Sequence, residues 1–202
     1  DPTEGGFTRD LVERMQAVPG VASAATISSA PLSGIGAIPV DVAVAGREGA
    51  EPLRPSVRVV SGPIQDVLQL SLLRGRWLDA GDHAQAEQVA VVNRAFAERV
   101  FPGGEAIGQT ITLPPFGQAG DRRAFRIVGV MADARLSRVA SPARPEVWLP
   151  DAQYWVSSVA VMLRGHVAPT DLATPAQQAI WAAHPDQGIY ATQAIATVRD
   201  RQ

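Results

Sequence analysis

Helix patterns stand at both ends of the chain and strand patterns fill the space between them, which limits the folds open to it. Near the start, Phe7–Val18 has apolar residues at helical spacing and stops at Pro19-Gly20. Near the end, Pro169–Ala183 has a second amphipathic pattern, in which Pro175 either begins a new helical segment or kinks a longer one. This order predicts an α+β fold in which a first subdomain, built from both chain ends, is interrupted by an inserted second one.

Short apolar runs make up most of the chain between these helices. We interpret them as strands because they have strand length and are bounded by turn residues. The predicted strands are Val21–Ser28, Val40–Val44, Val57–Val60, Leu72–Trp77, Val89–Val92, Ile111–Leu113, Phe125–Val130, Val147–Leu149, Ser157–Leu163 and Ile189–Ile195. A short helix is predicted over Ile64–Leu68, and another follows Val92, where Asn93 is placed to act as its N-cap.

The composition excludes several classes of function. Of the 202 residues, 46% are hydrophobic and 19% are charged, so the chain can bury a core. The formal net charge of -2 leaves no basic footprint for nucleic acid. The absence of cysteine excludes disulfides and thiolate metal sites, and the absence of lysine excludes a Walker-type nucleotide loop. No run approaches the ~20 apolar residues that span a bilayer. Because the chain opens at Asp1 without a methionine or a signal peptide, we expect it to be a piece of a longer protein or a processed product.

Four side chains near one turn, Asp79, Asp82, His83 and Glu87, are of types that bind metal ions. We interpret them as a polar turn with solvated carboxylates, because nothing in their spacing supplies groups that would orient them as ligands. His166 and His184 are isolated and are expected at the surface. We therefore predict no metal site.

The loop after the first strand contains Ser28, Ser29 and Ser33, the residue type of a hydrolase nucleophile. No Gly-x-Ser-x-Gly elbow surrounds them, and no histidine is placed by sequence to activate one. The nearby Gly34-Ile35-Gly36 lacks the third glycine of a dinucleotide loop. We predict no catalytic residue, no cofactor-binding residue and no cofactor.

Arginines cluster at and after the hairpin loop Pro114–Arg123, and four tryptophans are spread over the chain. The arginines are Arg122, Arg123, Arg126, Arg135, Arg138 and Arg144. We interpret them as a solvated face, the alternative being a surface for an acidic partner or lipid headgroups. We expect Trp77, Trp148 and Trp181 in the core, and Trp155 at a subdomain junction, the alternative being that the tryptophans line an apolar groove.

Five short sequence segments follow one another along the chain: Leu72–Trp77, Val89–Ala97, Ile107–Ile111, Phe125–Val130 and Pro145–Pro150. Their order and spacing resemble the extracytoplasmic domain of MacB-type (macrolide-exporter) and FtsX-like ABC transporter permeases. The similarity extends from about Phe7 to Ile195. The chain departs from it in one short helix, where the family usually has an aromatic residue near Ile64 or Gln65 and often has glycine at the position of Gln69.

The resemblance implies two subdomains and a place in the cell. A porter-like βαβ subdomain would comprise residues 1–83 and 151–202, and a strand-rich, sabre-like subdomain would be inserted at residues 84–150. The domain would be the periplasmic portion of a bacterial inner-membrane protein, so Asp1 and Gln202 should leave from the same face. The implied partners are its own transmembrane helices, a cytoplasmic ABC ATPase, a periplasmic adaptor or substrate protein and a second copy of the permease, with no nucleic acid.

The expected function follows from the resemblance and from the absence of recognisable catalytic motifs. We expect a non-catalytic domain that couples ATP-driven transmembrane motion to a periplasmic partner or substrate. Two alternatives stay open: a ligand-sensing extracytoplasmic domain with a pocket between its subdomains, and a small secreted hydrolase. Apolar spans on both sides of the segment would exclude the hydrolase.

Overall fold

A computed structural model gives the structure of the chain and describes residues 6–30, 38–45, 53–115, 121–134 and 143–194. Several sequence predictions fall outside these residues, namely those on Ser33, on Gly34-Ile35-Gly36, on Arg135 and Arg138, and on the two termini. The predicted strand at the end of the chain lies inside them as far as residue 194.

Each helix of the described residues lies where the sequence predicts one. They are α1 (Gly6–Gln16), α2 (Ile64–Leu68), α3 (Arg94–Val100) and α4 (Pro169–Ala183). Pro175 lies within the single helix α4, so the longer helix is the correct interpretation. Pro169 occupies the first turn of α4, where a missing backbone N–H breaks no helical hydrogen bond.

The strands of the described residues are β1 (Val21–Ile27), β2 (Ile38–Pro39), β3 (Ala43–Val44), β4 (Ser56–Ser61), β5 (Leu72–Gly75), β6 (Val89–Asn93), β7 (Thr110–Leu113), β8 (Arg123–Met131), β9 (Glu146–Pro150) and β10 (Ala160–Gly165). The predicted hairpin is present, since β7 and β8 pair in antiparallel fashion. The predicted strand Val40–Val44 is divided into short bridged pieces, although Val40 and Val42 are buried as its alternation requires. Residues 189–194 form no strand, so the prediction of a terminal strand is wrong over that range.

All the strands join one mixed sheet, in the order β10-β1-β4-β9-β6-β8-β7-β3, with β2 added to β4 and β5 added to β8. The β4–β9 and β6–β8 pairs are parallel, and the β6–β9 pair between them is antiparallel. The α+β prediction is therefore confirmed. The strands β3 and β5, which precede residue 84, pair with strands of the middle segment. The division into subdomains at residues 83/84 and 150/151 stays a prediction.

The strands in the middle of the sheet are buried on both faces. Along β6, Val89 and Val91 face one core cluster with helix α2, and Ala90 and Val92 face another with helix α3. This two-residue alternation explains the continuous apolar run, because each face of a doubly covered strand needs its own apolar residues. A third cluster joins the chain ends, where α1 and α4 pack on β1 and β10.

Two glycines from separate sequence segments, Gly75 and Gly129, lie opposite each other where β5 pairs with β8. Gly75 has φ +77°, and a Cβ there would lie 2.2 Å from the carbonyl oxygen of Val128. A Cβ on Gly129 would lie 2.2 Å from the carbonyl oxygen of Arg76. Because the two backbones approach this closely, neither position has space for a side chain.

The structure also shows the backbone conformation at Gln69, one of the positions at which the sequence departs from the family resemblance. This residue follows α2 with φ 54° and ψ 48°, which is the left-handed conformation that glycine adopts most readily. Among the described residues, it is the one non-glycine residue with positive φ. The turn is therefore formed with glutamine in a conformation that glycine adopts most readily.

Candidate functional site

A buried ion pair lies at the centre of the sheet, between the parallel strands β4 and β9. Arg58 is 1% exposed and Glu146 is 4% exposed. The Glu146 Oε1 accepts from Arg58 Nη2 at 3.2 Å and Nε at 3.3 Å, and its Oε2 accepts from the indole Nε1 of Trp148 at 3.2 Å. Arg58 also donates to the backbone carbonyl of Ser29 at 3.0 Å. The pair thus connects β4 from the first part of the chain with β9 from the middle segment.

Burial raises the pKa of Glu146 above its ordinary value, because the ionised carboxylate loses its hydrating water. The positive charge of Arg58 and the hydrogen bonds from Trp148 and Arg58 act in the opposite direction without cancelling the effect, and Asp133 adds to the rise. Each member of the pair is therefore stabilised in the core by its partner, and either one alone would be a buried uncompensated charge.

Asn93 connects this ion pair to helix α3. Its Oδ1 accepts from the backbone N–H of Phe96 at 3.0 Å, which confirms the predicted N-cap. The same oxygen accepts from the backbone N–H of Glu146 at 2.8 Å. Its Nδ2 donates to Asp133 Oδ1 at 2.9 Å and to the carbonyl of Arg144 at 2.8 Å. One side chain therefore joins β6, α3, β9 and the segment that follows β8.

The predicted turn of acidic residues is tied to an arginine. Asp82 is 4% exposed and accepts from Arg76 Nη2 at 2.6 Å, from Arg76 Nη1 at 2.8 Å and from the backbone N–H of Asp79 at 2.9 Å. Glu87 pairs with Arg126 at 2.6 Å. The interpretation of these carboxylates as solvated is therefore wrong for Asp82, which is buried and paired. Within the described residues, no group of three or more acidic or histidine side chains is arranged to hold a metal ion.

Burial of Asp82 would raise its pKa, but the hydrogen bonds from Arg76 and from Asp79 outweigh burial and lower the pKa below its ordinary value of 3.8. Asp82 therefore contributes stability above pH 3.8 that is lost as the pH falls through the lowered pKa. We expect Asp82→Asn to lower the free energy of unfolding by about 1–2 kcal/mol at pH 7, a figure that allows for solvent screening of the half-exposed Arg76. Urea titrations at pH 7 and pH 3 measure this, and the loss should be smaller at pH 3. An equal loss at both values would contradict the role of the charge.

The end of β9 is fastened to the acidic turn by Gln153, which is 2% exposed. Its Oε1 accepts from the N–H of Val89 at 2.9 Å, and its Nε2 donates to the carbonyls of His83 and Glu87 at 3.1 and 3.0 Å. One side chain thus fixes the entry into β6 through both the oxygen and the nitrogen of its amide group.

The residues predicted as hydrolase or surface candidates are held in separate places. Ser28 Oγ accepts from the backbone N–H of Val59 at 3.0 Å. His83 Nδ1 accepts from the N–H of Gln85 at 3.3 Å. His184, which joins α1 to α4, lies 3.3 Å from Asp10 Oδ2 and packs its ring on Phe7. These contacts do not bring a serine and a histidine together.

Some members of the arginine cluster and some of the tryptophans make structural contacts, and others are exposed at the surface. Arg122 donates to the carbonyls of Asp41 and Thr112 at 2.6 and 2.7 Å, so it fastens the hairpin to the β3 segment. Trp148 is fully buried and Trp77 is half-buried against the core. Trp181 is 44% exposed, so its prediction as a core residue is wrong, and its indole N–H donates to a backbone carbonyl. Trp155 is 38% exposed.

A groove with a cavity volume of about 420 Å³ is lined in part by Trp148, whose indole N–H donates to Glu146 of the buried ion pair. Helix α1 contributes to one side, the turn Trp77–His83 contributes to another, and Val60, Ile64 and Trp148 belong to its lining. The lining residues of α1 and of the turn are mostly exposed, whereas Val60, Ile64 and Trp148 are buried. The groove is thus an open apolar trough with a polar rim.

Sequence reasoning did not select Arg58, Glu146 or Gln153. A signal was present for Arg58, because it stands inside an apolar strand pattern, where a charge requires an opposite charge. Glu146 opens the strand that pairs with β4 in space, yet it lies 88 residues away along the chain. No local pattern indicates that these two strands are neighbours, and nothing marks Gln153.

Solved structures define the class to which this fold belongs. The periplasmic region of MacB from Actinobacillus actinomycetemcomitans aligns with a TM-score of 0.60 and 17% identity, over 96% of this chain and 83% of that one. The extracellular domain of the noncanonic ABC-type transporter YknZ from Gram-positive bacteria aligns with a TM-score of 0.61 and 16% identity, over 93% of this chain and 89% of that one. At such identities the likeness shows the fold, which is that of permease extracytoplasmic domains.

The family is shown by sequence. The model of the MacB-like periplasmic core domain matches residues 1–180, and the chain belongs to this family. It is the extracytoplasmic, periplasmic domain of a MacB-like ABC transporter permease. No curated protein matches the chain. Among the described residues, no helix combines the length and the apolar character needed to cross a bilayer.

Proposed function

We propose that this domain couples ATP-driven movement of transmembrane helices to a periplasmic partner or substrate and catalyses no reaction of its own. The observation that supports this is the continuous sheet, which runs from the packed chain ends to the middle segment. The chain-end strands β10, β1 and β4 continue through β9 into β6 and β8. A displacement applied to α1 or α4 therefore reaches the middle segment through paired backbone and not through a flexible linker.

The motion that we propose is a rigid-body movement of two packed parts, residues 1–83 with 151–202 and residues 84–150. Packing of α1, α4, β1 and β10 in one cluster supports treating the chain ends as one part. Three strand pairs connect the parts, namely β3–β7, β5–β8 and the β4–β9 pair with its buried Arg58–Glu146 contact. The partners of the coupling are the permease's own transmembrane helices, a cytoplasmic ABC ATPase, a periplasmic adaptor or substrate protein and a second copy of the permease.

Spin-label distances in the full-length permease test this proposal. The domain has no cysteine, so labels enter it only where they are placed. Gln16→Cys on α1 and Glu98→Cys on α3 report on the two parts, and both native residues are exposed. We expect their distance distribution to change between the nucleotide-free state and the ATP-bound state trapped with a hydrolysis-deficient ATPase.

The control pair is Gln16→Cys with Gln178→Cys, which joins two helices of the chain-end cluster. Its distance distribution should be the same in both nucleotide states. If neither pair responds to ATP, the coupling proposal is contradicted. If both pairs respond equally, the domain deforms and does not move as two rigid parts.

A ligand-sensing role is the second candidate, and the groove between α1 and the Trp77–His83 turn is the observation that favours it. A sensor and a coupling module differ in what drives the change of shape. In a sensor, a small ligand alone would change the distance between labels at Gln178 on α4 and Glu98 on α3 without ATP, and neither of these exposed residues lines the groove. The hydrolase alternative has no comparable support, since Ser28 Oγ is engaged with the backbone of β4.

A further inference from the structure

The groove beside α1 has a negatively charged rim over an apolar floor. Four of the described residues that line it are acidic, namely Glu13, Asp79, Asp82 and Asp151, and one, Arg9, is a fixed cation. Asp82 and Asp79 share Arg76, at 2.6 Å and 3.4 Å. Counting Arg76 with Arg9, the groove carries an excess of two negative charges.

The two rim carboxylates that neighbouring cations neutralise least are Glu13 on α1 and Asp79 on the Trp77–His83 turn. Glu13 lies on α1, is exposed and has no ion pair within the described part of the chain. Asp79 lies on the turn, its side chain is 64% exposed, and Arg76 at 3.4 Å is its ion-pair partner, while one of its oxygens accepts from the backbone N–H of Gly81 at 2.7 Å. Asp151 is committed elsewhere, because it accepts from Thr8 and Ser61 and lies near Arg9. An occupant with positive charge would therefore meet carboxylates from both elements.

The floor favours an occupant that also has apolar groups. Val60, Ile64 and Trp148 are at most 4% exposed and only support the floor, whereas Pro63, Trp77 and Leu78 are half-buried and supply its accessible apolar surface, including an indole ring. Arginine is suited to such a surface, since its guanidinium pairs with carboxylates and stacks on aromatic rings while its methylene stem lies on apolar atoms.

The dimensions match a stretch of polypeptide. The groove follows α1 from Arg9 to Gln16, which at 1.5 Å per residue is about 10 Å. An extended chain covers that length with about three residues, at ~3.3 Å each. The exposed rim leaves the groove open along its side, so a segment held by the rest of a partner protein can be laid into it, whereas small-ligand sites enclose most of the ligand.

We propose that this groove docks a short, extended segment of a periplasmic partner protein, in which arginine side chains alternate with apolar ones. The proposal rests on the proposed function for the existence of such a partner. The site, the extended form and the basic character of the segment come from the groove itself.

Titration of the purified domain with capped peptides tests the proposal without ATP or membrane. The probes are a hexapeptide of alternating arginine and leucine, the matched hexapeptide of alternating glutamate and leucine, and a single capped arginine. We expect the basic hexapeptide to bind, the acidic one not to bind, and the single arginine to bind at least tenfold more weakly, the factor that corresponds to about 1.4 kcal/mol. Calorimetry gives the affinities, and backbone NMR shifts should change along α1 and the Trp77–His83 turn.

Charge-neutralising variants distinguish peptide binding in the groove from nonspecific electrostatic attraction of the peptide to the protein surface. We expect Glu13→Gln and Asp79→Asn each to weaken binding by about two- to fivefold, the range of exposed ion pairs. Asparagine at position 79 keeps the oxygen that accepts from Gly81, so the turn should persist. Glu98→Gln, on the exposed face of α3, is the matched control and should leave the affinity unchanged.

Three results would overturn the proposal: no binding of the basic hexapeptide, equal weakening by Glu98→Gln, or equal affinity for the single arginine. The last would make the groove a site for small cations and would favour the sensing role. Failure here leaves the ATP-dependent distance change in the full permease unaffected, so the two proposals fail separately.

Discussion

Arg58→Met should lower the free energy of unfolding by about 3–5 kcal/mol, the usual consequence of removing one partner from a buried ion pair. Methionine fills much of the same volume, so the loss comes mainly from Glu146, which is 4% exposed and would lose its cation. Chemical denaturation of the purified domain, with the slope checked for two-state behaviour, measures the effect.

The pH dependence of this loss identifies its cause. Without Arg58, the pKa of Glu146 should rise further, because burial already raises it and Arg58 is the main opposing charge. A carboxyl group with a raised pKa gives stability that is complete below its ordinary pKa of 4.5 and is lost as the pH rises through the folded-state value. The deficit of Arg58→Met should therefore be small near pH 4 and should grow toward pH 7.

The double variant Arg58→Met with Glu146→Gln is the control. The glutamine side chain would be neutral, and its amide oxygen would still accept from Trp148. This variant should recover most of the lost stability at pH 7 and should show little pH dependence. A deficit that persists in the double variant and is equal at pH 4 and pH 7 would mean that packing, and not the uncompensated charge, is responsible.

Asn93→Ala should lower the free energy of unfolding by about 2–4 kcal/mol, more than the ~0.5–2 kcal/mol of an ordinary helix N-cap. The excess arises because Asn93 also satisfies the buried N–H of Glu146 and binds Asp133 and the carbonyl of Arg144. Alanine removes all of these hydrogen bonds and leaves buried backbone groups unpaired. The denaturation midpoint of the domain gives the value.

Asn93→Asp separates the contribution that the acceptor oxygen of the side chain makes to stability from the contribution of its donor nitrogen. Its carboxylate keeps the acceptor for the N–H groups of Phe96 and Glu146 but loses the donor and places a negative charge beside Asp133. At pH 7 this variant should be less stable than the wild type, and lowering the pH should recover part of the difference. If Asn93→Ala costs no more than an exposed cap, the hydrogen bonds beyond Phe96 contribute nothing to stability.

Local patterns in the sequence predicted the elements that local physics controls. Helix α4 was predicted from Pro169 to Ala183 because its apolar residues repeat at helical spacing and proline is favoured in the first turn. The N-cap at Asn93 was predictable because an asparagine between a strand pattern and a helix pattern can satisfy the first-turn N–H groups by itself. The β7–β8 hairpin joins neighbours in sequence, so its pairing needs no distant information.

The sequence also determined the family, because the order of the five short segments along the chain is a property of the sequence alone. The model of the MacB-like periplasmic core domain matches residues 1–180 and confirms that resemblance. The division at residues 84 and 150 stays a prediction, since the sheet passes through both proposed parts.

Only the tertiary structure decided which distant strands are neighbours and hence which polar residues meet. Strand β9 lies between β4 and β6, parallel to one and antiparallel to the other, and this placement brings Glu146 to Arg58 and to Asn93. The exposure of Trp181 and the lack of a strand over residues 189–194 were settled in the same way. Burial and pairing depend on what the rest of the chain places against a segment, and an apolar pattern records only that the segment tolerates burial.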